Sequence, residues 1–380
     1  MRPSANLSPL LMAAGLLMAA SATSDAQVYP SSAGNMMVQT FAKGLEHPWA
    51  LAFLPDGRIL VTERPGRMRI VAKDGTISSA LAEVPKVFAS GQGGLHDVVL
   101  DRAFADNHTL YFCYAEPMSG GGRTALARAR LLEEGTPRLA EVAVIFHQDG
   151  PLSSGNHFGC RIAQAPDNNL FLTLGEHFTQ RDQAQNLANH LGKIVRIRPD
   201  GTVPPDNPFV GRQGAKPEIW SFGHRNPQGL ALHPTTGRLW EHEHGPRGGD
   251  EINIIEKGKN YGWPVIGYGI DYSGAKIHES THKAGMEQPL KYWVPSIAPS
   301  GMTFYSGDLF AAWRGSLFLG ALAGQMLVRL ELDGDTVVRE EPLLQQLRER
   351  IRDVREGPDG ALWLATDNSS GRILRLAPAP

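Results

Sequence analysis

One pattern recurs six times along the chain and restricts its fold more than any other feature. Each copy consists of an apolar strand, a polar turn and a second apolar strand. Turns such as Pro-Asp-Gly and His-Pro-Thr-Thr-Gly are typical of hairpin loops, because Gly, Asn and Asp accept positive φ and Pro fixes the first corner. The copies cover residues 49–63, 95–115, 160–176, 229–243, 301–322 and 351–367.

Six such hairpins predict an all-β fold, a six-bladed β-propeller of four-stranded antiparallel sheets around a central channel. A β-sandwich is the alternative, but it does not require a sixfold hairpin repeat. We expect RILRL (372–376) to complete a blade begun by MVQTFAKGL (37–45), which would close the ring. The uneven spacing of the copies predicts long loops at 177–215 and 257–295, and long loops in compact domains are usually functional.

The N-terminus has the layout of a secretory signal. Arg2 precedes an apolar run at 10–20, and small and polar residues follow up to position 26. This predicts a signal peptide at 1–26, a single propeller domain at 27–380 and a periplasmic or secreted protein. The apolar run is too short to span a bilayer, which takes about 20 residues, and no later stretch is longer, so we expect no membrane insertion.

The charge balance narrows the classes of molecule that the protein could bind. The chain has 37 basic and 39 acidic residues without a long run of one sign, which argues against nucleic acid and favours a small molecule as the partner.

Cys113 and Cys160 are too few for a disulfide scaffold. Two buried thiols is the interpretation we favour, although an oxidising compartment would allow them to pair.

Polar residues gather just before the first strand of several copies, and a propeller brings such equivalent positions together at one end of its channel. They are Gln92, Asn156, His157, Arg225, Asn226, Arg350 and Arg352. A histidine beside arginines suits a general base, because nearby positive charge lowers its pKa. Three arginines in one cavity predict an anionic ligand with several carboxylates.

The segment EHGPRGGDEIN (243–253), followed by NYGW, offers oxygen ligands. Carbonyls of its Gly-Pro turn, with Asp250, Glu251 and the Tyr261 region, suit Ca²⁺. His242 and His244 would suit zinc, but no third ligand can be located from the sequence. Neither a P-loop nor a strand-to-helix GxGxxG is visible, which argues against a nucleotide cofactor.

With these motifs together, the sequence resembles the glucose/sorbosone dehydrogenase family of soluble quinoprotein sugar dehydrogenases, most closely its aldose sugar dehydrogenase branch. The resemblance runs from HPWALAFLPDGRILVTER (47–64) to RIRDVREGPDGALWLATDNSSG (350–371). GHRNPQGL, GPRGGDEIN with NYGWP, and RIRDV carry it jointly. It implies a six-bladed propeller, the cofactor pyrroloquinoline quinone (PQQ), Ca²⁺ and oxidation of an aldose at its anomeric carbon to the lactone.

Roles are implied residue by residue. His157 matches the base that takes the anomeric hydroxyl proton, and Arg225 belongs to the same catalytic group. The positions that match cofactor contacts are Gln92, Arg225, Asn226, Tyr272, Arg350 and Arg352. The positions that match calcium sites are Gly245, Pro246, Glu251 and Tyr261.

One position departs from the family pattern. Family members commonly have a lysine in the loop that here reads GALAGQ, where Ala323 stands. Losing a charge-assisted contact of this kind costs about 1.5 to 3 kcal/mol, so Ala323 predicts weaker cofactor binding. Two alternatives to the sugar dehydrogenase stay open: a noncatalytic propeller that binds carbohydrate or protein, and a Ca²⁺-dependent lactone hydrolase. The sequence leaves the preferred sugar, the external electron acceptor and the oligomeric state open.

Overall fold

The computed structural model describes residues 26–150, 152 and 154–380. Positions 1–25 of the predicted signal peptide therefore lie outside the described residues. Six antiparallel sheets follow one another around a ring, and the predicted β-propeller is confirmed. In the described part of the chain, no helix is long and apolar enough to cross a membrane.

Strands account for most of the fold. They are β1 (Ala26–Ser31), β2 (Gly34–Leu45), β3 (Pro48–Phe53), β4 (Ile59–Glu63), β5 (Arg67–Val71), β6 (Leu95–Leu100), β7 (Thr109–Met118), β8 (Gly121–Leu132), β9 (Arg138–His147), β10 (Gly159–Gln164), β11 (Leu170–Leu174), β12 (Lys193–Ile197), β13 (Ile219–Phe222), β14 (Pro227–Leu232), β15 (Leu239–Glu243), β16 (Asp250–Ile255), β17 (Lys291–Trp293), β18 (Pro299–Phe304), β19 (Leu317–Ala321), β20 (Met326–Asp333), β21 (Thr336–Leu343), β22 (Ile351–Glu356), β23 (Leu362–Thr366) and β24 (Gly371–Pro378). The helical elements are α1 (Phe104–Asn107) and three 3₁₀ turns, Arg181–Gln185, Ala311–Trp313 and Gln345–Leu347.

Each predicted hairpin forms the two inner strands of one blade. Blades two to five are the four-stranded sheets β6–β9, β10–β13, β14–β17 and β18–β21. The first blade has β3, β4 and β5, and an isolated bridge from Val71 to Ile77 extends it. The sixth has five strands in the order β22-β23-β24-β2-β1. The sixfold hairpin repeat therefore corresponds to the blades one for one.

The ring closes as predicted, by pairing of distant segments. Strand β2 runs antiparallel to β24, from the pair Met36 and Pro378 to the pair Leu45 and Gly371. The sixth blade therefore combines strands from both ends of the described chain. This pairing closes the ring, and the sixth blade packs against the first.

The first strands of the six blades line the channel, since each contacts the first strands of both neighbours. All six also carry a register shift against their second strand, close to where they begin. A bulge bends a strand and redirects its side chains, and bulges are common beside active sites. The entry to the channel is thus built from six bent strand ends.

Two expectations need correction. Both predicted long loops contain a strand. In 177–215 it is β12, whose residues KIVRI are all buried and pair with β11, and in 257–295 it is β17, which pairs with β16. Cys113 and Cys160 form a disulfide rather than the two buried thiols we favoured. Their Cα atoms are 5.6 Å apart, because β7 of one blade packs against β10 of the next. Only tertiary packing makes these neighbours, so the sequence could not decide the pairing.

Candidate active site

A cavity of about 220 Å³ lies at the end of the channel where the inner strands begin. Four residues predicted from the sequence line it, and they come from three different blades: Gln92, Asn226, Arg350 and Arg352. Each lies at or next to the start of an inner strand, so the ring brings equivalent positions of the repeat together. The convergence expected from the sequence is therefore observed for these four residues.

Gln92 and Asn226 fix the turn that carries the predicted base. The side-chain oxygen of Gln92 accepts a hydrogen bond from the His157 N–H at 2.8 Å. The Asn226 side-chain oxygen accepts one from the Gly159 N–H at 3.1 Å. His157 needs this support because its φ is 56°, in the left-handed region that L-residues rarely adopt. Two amide side chains from neighbouring blades thus hold a strained turn in place.

His157 is buried and paired with a carboxyl group. Its Nδ1 lies 2.9 Å from Oε1 of Glu176, and only 4% of the histidine is exposed. Burial, with a further contribution from the charge of Arg225, holds the pKa of His157 well below its usual value. Burial raises the pKa of Glu176 to about 8, against the opposing effect of Arg225. His157 is therefore a neutral imidazole near physiological pH.

Three arginines and a single carboxylate belong to the lining of the cavity. Arg352 lies 2.9 Å and Arg350 3.5 Å from the same oxygen of Asp367. Arg64 also lines the cavity, and it donates to the Gly91 carbonyl at 3.4 Å. The Nε of Arg352 is buried without a hydrogen-bond partner in the described part of the chain. Burial opposes ionisation of Asp367, but the guanidinium of Arg352 holds its pKa well below the usual value.

Arg225 lies beside the cavity rather than in its lining. Its guanidinium donates to the carbonyls of His244 at 3.0 Å and Gly245 at 2.9 Å, and lies 5.2 Å from the ring of Trp263. Arg225 therefore braces the turn after β15 from the start of β14 and adds positive charge near His157.

The four positions predicted to bind metal come together around a second, small cavity of about 20 Å³. Its lining includes Gly245, Pro246, Glu251 and Tyr261. Glu243 faces the same space. Burial and the charge of Glu243 raise the pKa of Glu251 well above its usual value. The Tyr261 hydroxyl is engaged elsewhere, since it donates to the Ile254 carbonyl at 2.6 Å.

Tyr272 and Ala323 lie in a wider cleft of about 670 Å³ next to the main cavity. His244 and Ala298 belong to the walls of both. Tyr272 is 58% exposed, and its ring centroid lies 6.3 Å from that of Phe178. Phe178 in turn contacts His157 edge-on at 5.1 Å. The cleft therefore leads from solvent towards the buried histidine.

Sequence reasoning missed four carboxylates at equivalent positions, where the second strand of a hairpin copy ends: Glu63, Glu176, Glu243 and Asp367. The repeat itself contained the signal, because four of the six hairpin copies end in an acidic residue. Each carboxylate holds a cation or an imidazole at the channel entry.

His96 was missed as well. Its Nε2 lies 3.0 Å from the Gln92 carbonyl, which can only accept, so the ring proton is on Nε2. Nδ1 is therefore a buried acceptor without a partner among the described residues, at the edge of the cavity. Burial lowers the pKa of His96 to about 3. His244, weighed above as a zinc ligand, instead lies 2.7 Å from the Pro299 carbonyl through Nε2.

Comparisons with known proteins match the chain along its length. The family model described as Glucose / Sorbosone dehydrogenase matches residues 45–375, which span all six blades. Aldose sugar dehydrogenase YliI of Escherichia coli (strain K12) is 44% identical over 381 residues, or 99% of this chain and 99% of that protein.

Two solved structures share the fold. Soluble aldose sugar dehydrogenase from Escherichia coli in its apo-form has a TM-score of 0.88 at 45% identity, covering 90% of this chain and 100% of the other. The PQQ-bound form of aldose sugar dehydrogenase from Streptomyces coelicolor has a TM-score of 0.76 at 30% identity, covering 92% and 99%. Both likenesses extend over the whole ring.

Proposed function

The chain belongs to the glucose/sorbosone dehydrogenase family, and on that premise we propose that it is a PQQ-dependent dehydrogenase that oxidises aldose sugars at the anomeric carbon to lactones. One observation carries the proposal beyond family membership: a buried neutral histidine lies beside a cavity whose lining has three arginines and only one carboxylate. The histidine suits proton abstraction, and the arginines suit a polyanionic cofactor.

The residues of the cavity fit PQQ, which carries three carboxylates. The guanidinium groups of Arg64, Arg350 and Arg352 have only Asp367 as a carboxylate in the cavity lining. The buried Nε of Arg352 lacks a partner in the described structure, and a ligand carboxylate would satisfy it. Bidentate pairing with carboxylates is the geometry that arginine favours. We infer that these arginines, with Gln92, Asn226 and Tyr272, would hold the cofactor.

His157 is proposed as the general base. Its Nδ1 is taken up by Glu176, which leaves Nε2 to accept the proton of the anomeric hydroxyl when Nδ1 carries the ring proton. When bound, PQQ supplies the acceptor for the hydride that leaves the same carbon. The sugar thereby loses one proton and one hydride, which gives the lactone. The positive charge of Arg225 near the pair favours the neutral imidazole.

The second cavity supports a calcium proposal. Its donors are hard oxygens: the carboxylates of Glu243 and Glu251 and the carbonyls of the Gly245-Pro246 turn. Ca²⁺ prefers ligands of this kind. A cation there would also neutralise two carboxylates whose strands pair directly, Glu243 opposite Glu251.

The cellular setting belongs to the same proposal. We propose that residues 1–26 are a signal peptide and that 27–380 form one catalytic domain in the periplasm or outside the cell. Cys113 and Cys160 are the only cysteines in the sequence, so it contains no CxxCH haem-attachment motif. Electrons would therefore leave to an external acceptor.

The test is a reconstitution assay. Purified chain is mixed with Ca²⁺ and PQQ, and reduction of an artificial dye is followed with glucose and a panel of other aldoses. We expect dye reduction that requires both PQQ and sugar, and saturable PQQ binding by titration. If no sugar supports dye reduction and PQQ does not bind, the proposal is wrong and a noncatalytic propeller takes its place. A lactone hydrolase would leave the arginines without a role.

A further inference from the structure

A second group of potential metal ligands lies between the third and fourth blades. It consists of His224, Glu241 and Glu243, and one ligand atom from each lies within 4.8 Å of the others. All three side chains are buried, with exposures of 0%, 0% and 4%. His224 lies in the connection from β13 to β14, whereas both glutamates lie on β15. The group therefore joins a connection between two blades to the body of the fourth.

Strand alternation explains why the two glutamates meet. Residues two apart on a strand point to the same face, so Glu241 and Glu243 project together. Their partners on β16 are Asn253 and Glu251. Trp240, which precedes Glu241 on β15, points to the opposite face and packs into the apolar core shared with the fifth blade. The acidic face of β15 is thus a specific feature of the interface with the third blade.

The carboxylates of this group lack a basic counter-charge. Glu243 accepts from the Arg225 backbone N–H, and its other oxygen lies 3.1 Å from Nδ1 of His224. Glu241 accepts only from the Asn253 amide, at 3.3 Å. Its Oε1 is buried without a partner among the described residues. No lysine or arginine in the described chain forms an ion pair with Glu241, and isolated burial of a carboxylate is costly.

The imidazole of His224 is held in one orientation. Its Nε2 lies 2.9 Å from the hydroxyl of Ser221, and its ring stacks on Tyr261 with centroids 4.8 Å apart. Nδ1 is thereby directed at the carboxylate of Glu243. Metal-binding histidines are commonly oriented in this way, with the second ring nitrogen bound to a neighbouring polar group.

We propose that His224, Glu241 and Glu243 form a binding site for a divalent cation that takes imidazole as a ligand. Zn²⁺ is the cation we use to test it. The proposal does not depend on sugar oxidation. The site is distinct from the calcium position proposed at Gly245, Pro246, Glu251 and Tyr261, although Glu243 borders both. Imidazole nitrogen with two carboxylates suits Zn²⁺, whereas Ca²⁺ takes oxygen ligands. Zinc-ligand distances of about 2.1 Å would draw the three ligand atoms to about 3.4 Å from one another.

The ion would act as a structural link. It would join the connection that precedes β14 to the second strand of that blade. Arg225 and Asn226 follow His224 directly in the chain, so the same link would hold the residues beside the main cavity. Its loss should therefore loosen the cavity wall as well as the blade interface.

The experiment uses the processed chain, freed of metal with a chelator and kept in excess Ca²⁺, without PQQ or sugar. Zn²⁺ is titrated by calorimetry, and bound metal is counted by elemental analysis. We expect one Zn²⁺ per chain that Ca²⁺ does not displace, and a higher melting temperature when it binds. Glu241→Gln should weaken Zn²⁺ binding at least about tenfold. Glu256→Gln is the control, because it removes an exposed carboxylate outside both proposed metal sites, and it should bind Zn²⁺ like the unmutated chain.

Three outcomes would overturn the site. The first is absence of Zn²⁺ binding in excess Ca²⁺. The second is a Glu241→Gln variant that binds Zn²⁺ as tightly as the unmutated chain, which would mean that Glu241 is simply a buried neutral carboxyl. If Glu241→Gln does not fold, the melting temperature of the unmutated chain is measured with and without Zn²⁺. An unchanged melting temperature is the third outcome that refutes the proposal. Without PQQ and sugar in the assay, none of these outcomes bears on the proposed oxidation.

Discussion

Two arginine clusters lie along the same channel and differ in how completely they are paired. In the inner cluster, Arg161 lies 3.0 Å from Asp353 and 3.4 Å from Asp97, and Arg355 lies 2.8 and 2.9 Å from the same two carboxylates. Arg161 also donates hydrogen bonds to the backbone carbonyls of Gln228 and Arg352. Two guanidinium groups and two carboxylates therefore balance, and the inner cluster ties several blades together.

The outer cluster is not balanced. Arg350 and Arg352 share Asp367, Arg64 lines the same cavity without an ion pair to it, and the side chain of Arg350 is 45% exposed against 2% for Arg161. The contrast teaches that the residue type alone does not reveal its role. Fully paired, buried arginines stabilise the ring, whereas arginines that outnumber the carboxylates around a cavity suit an anionic ligand. The proposed chemistry belongs to the outer cluster and its neighbours, and the following changes test that division.

The largest effect is expected at the outer end, for His157→Ala. Removing a general base typically lowers kcat by about 10²- to 10⁴-fold. PQQ affinity should stay close to that of the unmutated chain, because His157 lies outside the lining of the arginine cavity. Stopped-flow turnover and PQQ titration of the same preparation measure both quantities. Full turnover in this variant would remove His157 as the base.

The next effect is expected at the inner end, for Arg161→Met. Breaking a buried ion pair on one side leaves an uncompensated charge and costs about 3 to 5 kcal/mol. Denaturant unfolding should show this loss directly. The matched change at the outer end, Arg350→Gln, should leave stability nearly unchanged and weaken PQQ binding. If Arg350→Gln proved the more destabilising of the two, the contrast between the clusters would be wrong.

A smaller effect is expected for Ala323→Lys, which adds a cation to the cleft beside the outer cluster. A new charge-assisted contact should tighten PQQ binding by about ten- to a hundredfold. Gln325→Lys, an exposed position in the same loop, is the control for nonspecific attraction. Equal affinities for all three proteins would show that this loop does not face the cofactor.

The smallest change is a shift in pH dependence. Because burial raises the pKa of Glu176 to about 8, near neutrality its proton is donated to Nδ1 of His157, and the ring proton then occupies Nε2. Above that pKa the carboxylate accepts from Nδ1–H, and Nε2 is free. The rate should therefore rise with pH through about 8. In Glu176→Gln the amide oxygen accepts from Nδ1–H at every pH. The rise in rate should then follow the lowered pKa of His157 itself, below the ordinary imidazole pKa. Identical pH-rate profiles would contradict the pairing.

The sequence predicted the fold well because its strongest signal, the hairpin, is local. Turn residues and alternating strands specify each hairpin without reference to the rest of the chain, and ring closure followed from the repeat. Gln92, Asn226, Arg350 and Arg352 were predictable because repeat-equivalent positions converge. The strand β12 was missed inside a predicted loop, because its five buried residues stand outside the repeated hairpin.

The pairings within the site required three dimensions. Glu176 and Asp367 were visible as acidic ends of hairpin copies, but only the folded hairpins bring them to His157 and Arg352, 19 and 15 positions earlier in the chain. The same applies to the bond between Cys113 and Cys160, which packing of two blades decides. Arg225 shows the limit most clearly, since its neighbours along the chain suggest the cavity while its guanidinium turns to the carbonyls of the next turn.

The closure of the sixth blade has a consequence for how the protein is made. Thr40 on β2 accepts a hydrogen bond from Arg372 on β24, across 332 positions of sequence. A ribosome or an export channel releases β24 after the strands of the other five blades, so β2 has no partner on its inner edge until those blades have emerged. An exposed strand edge invites pairing with other chains. The interval before closure is therefore the period of greatest exposure to aggregation, and it lengthens with every residue inserted into the loops between the blades.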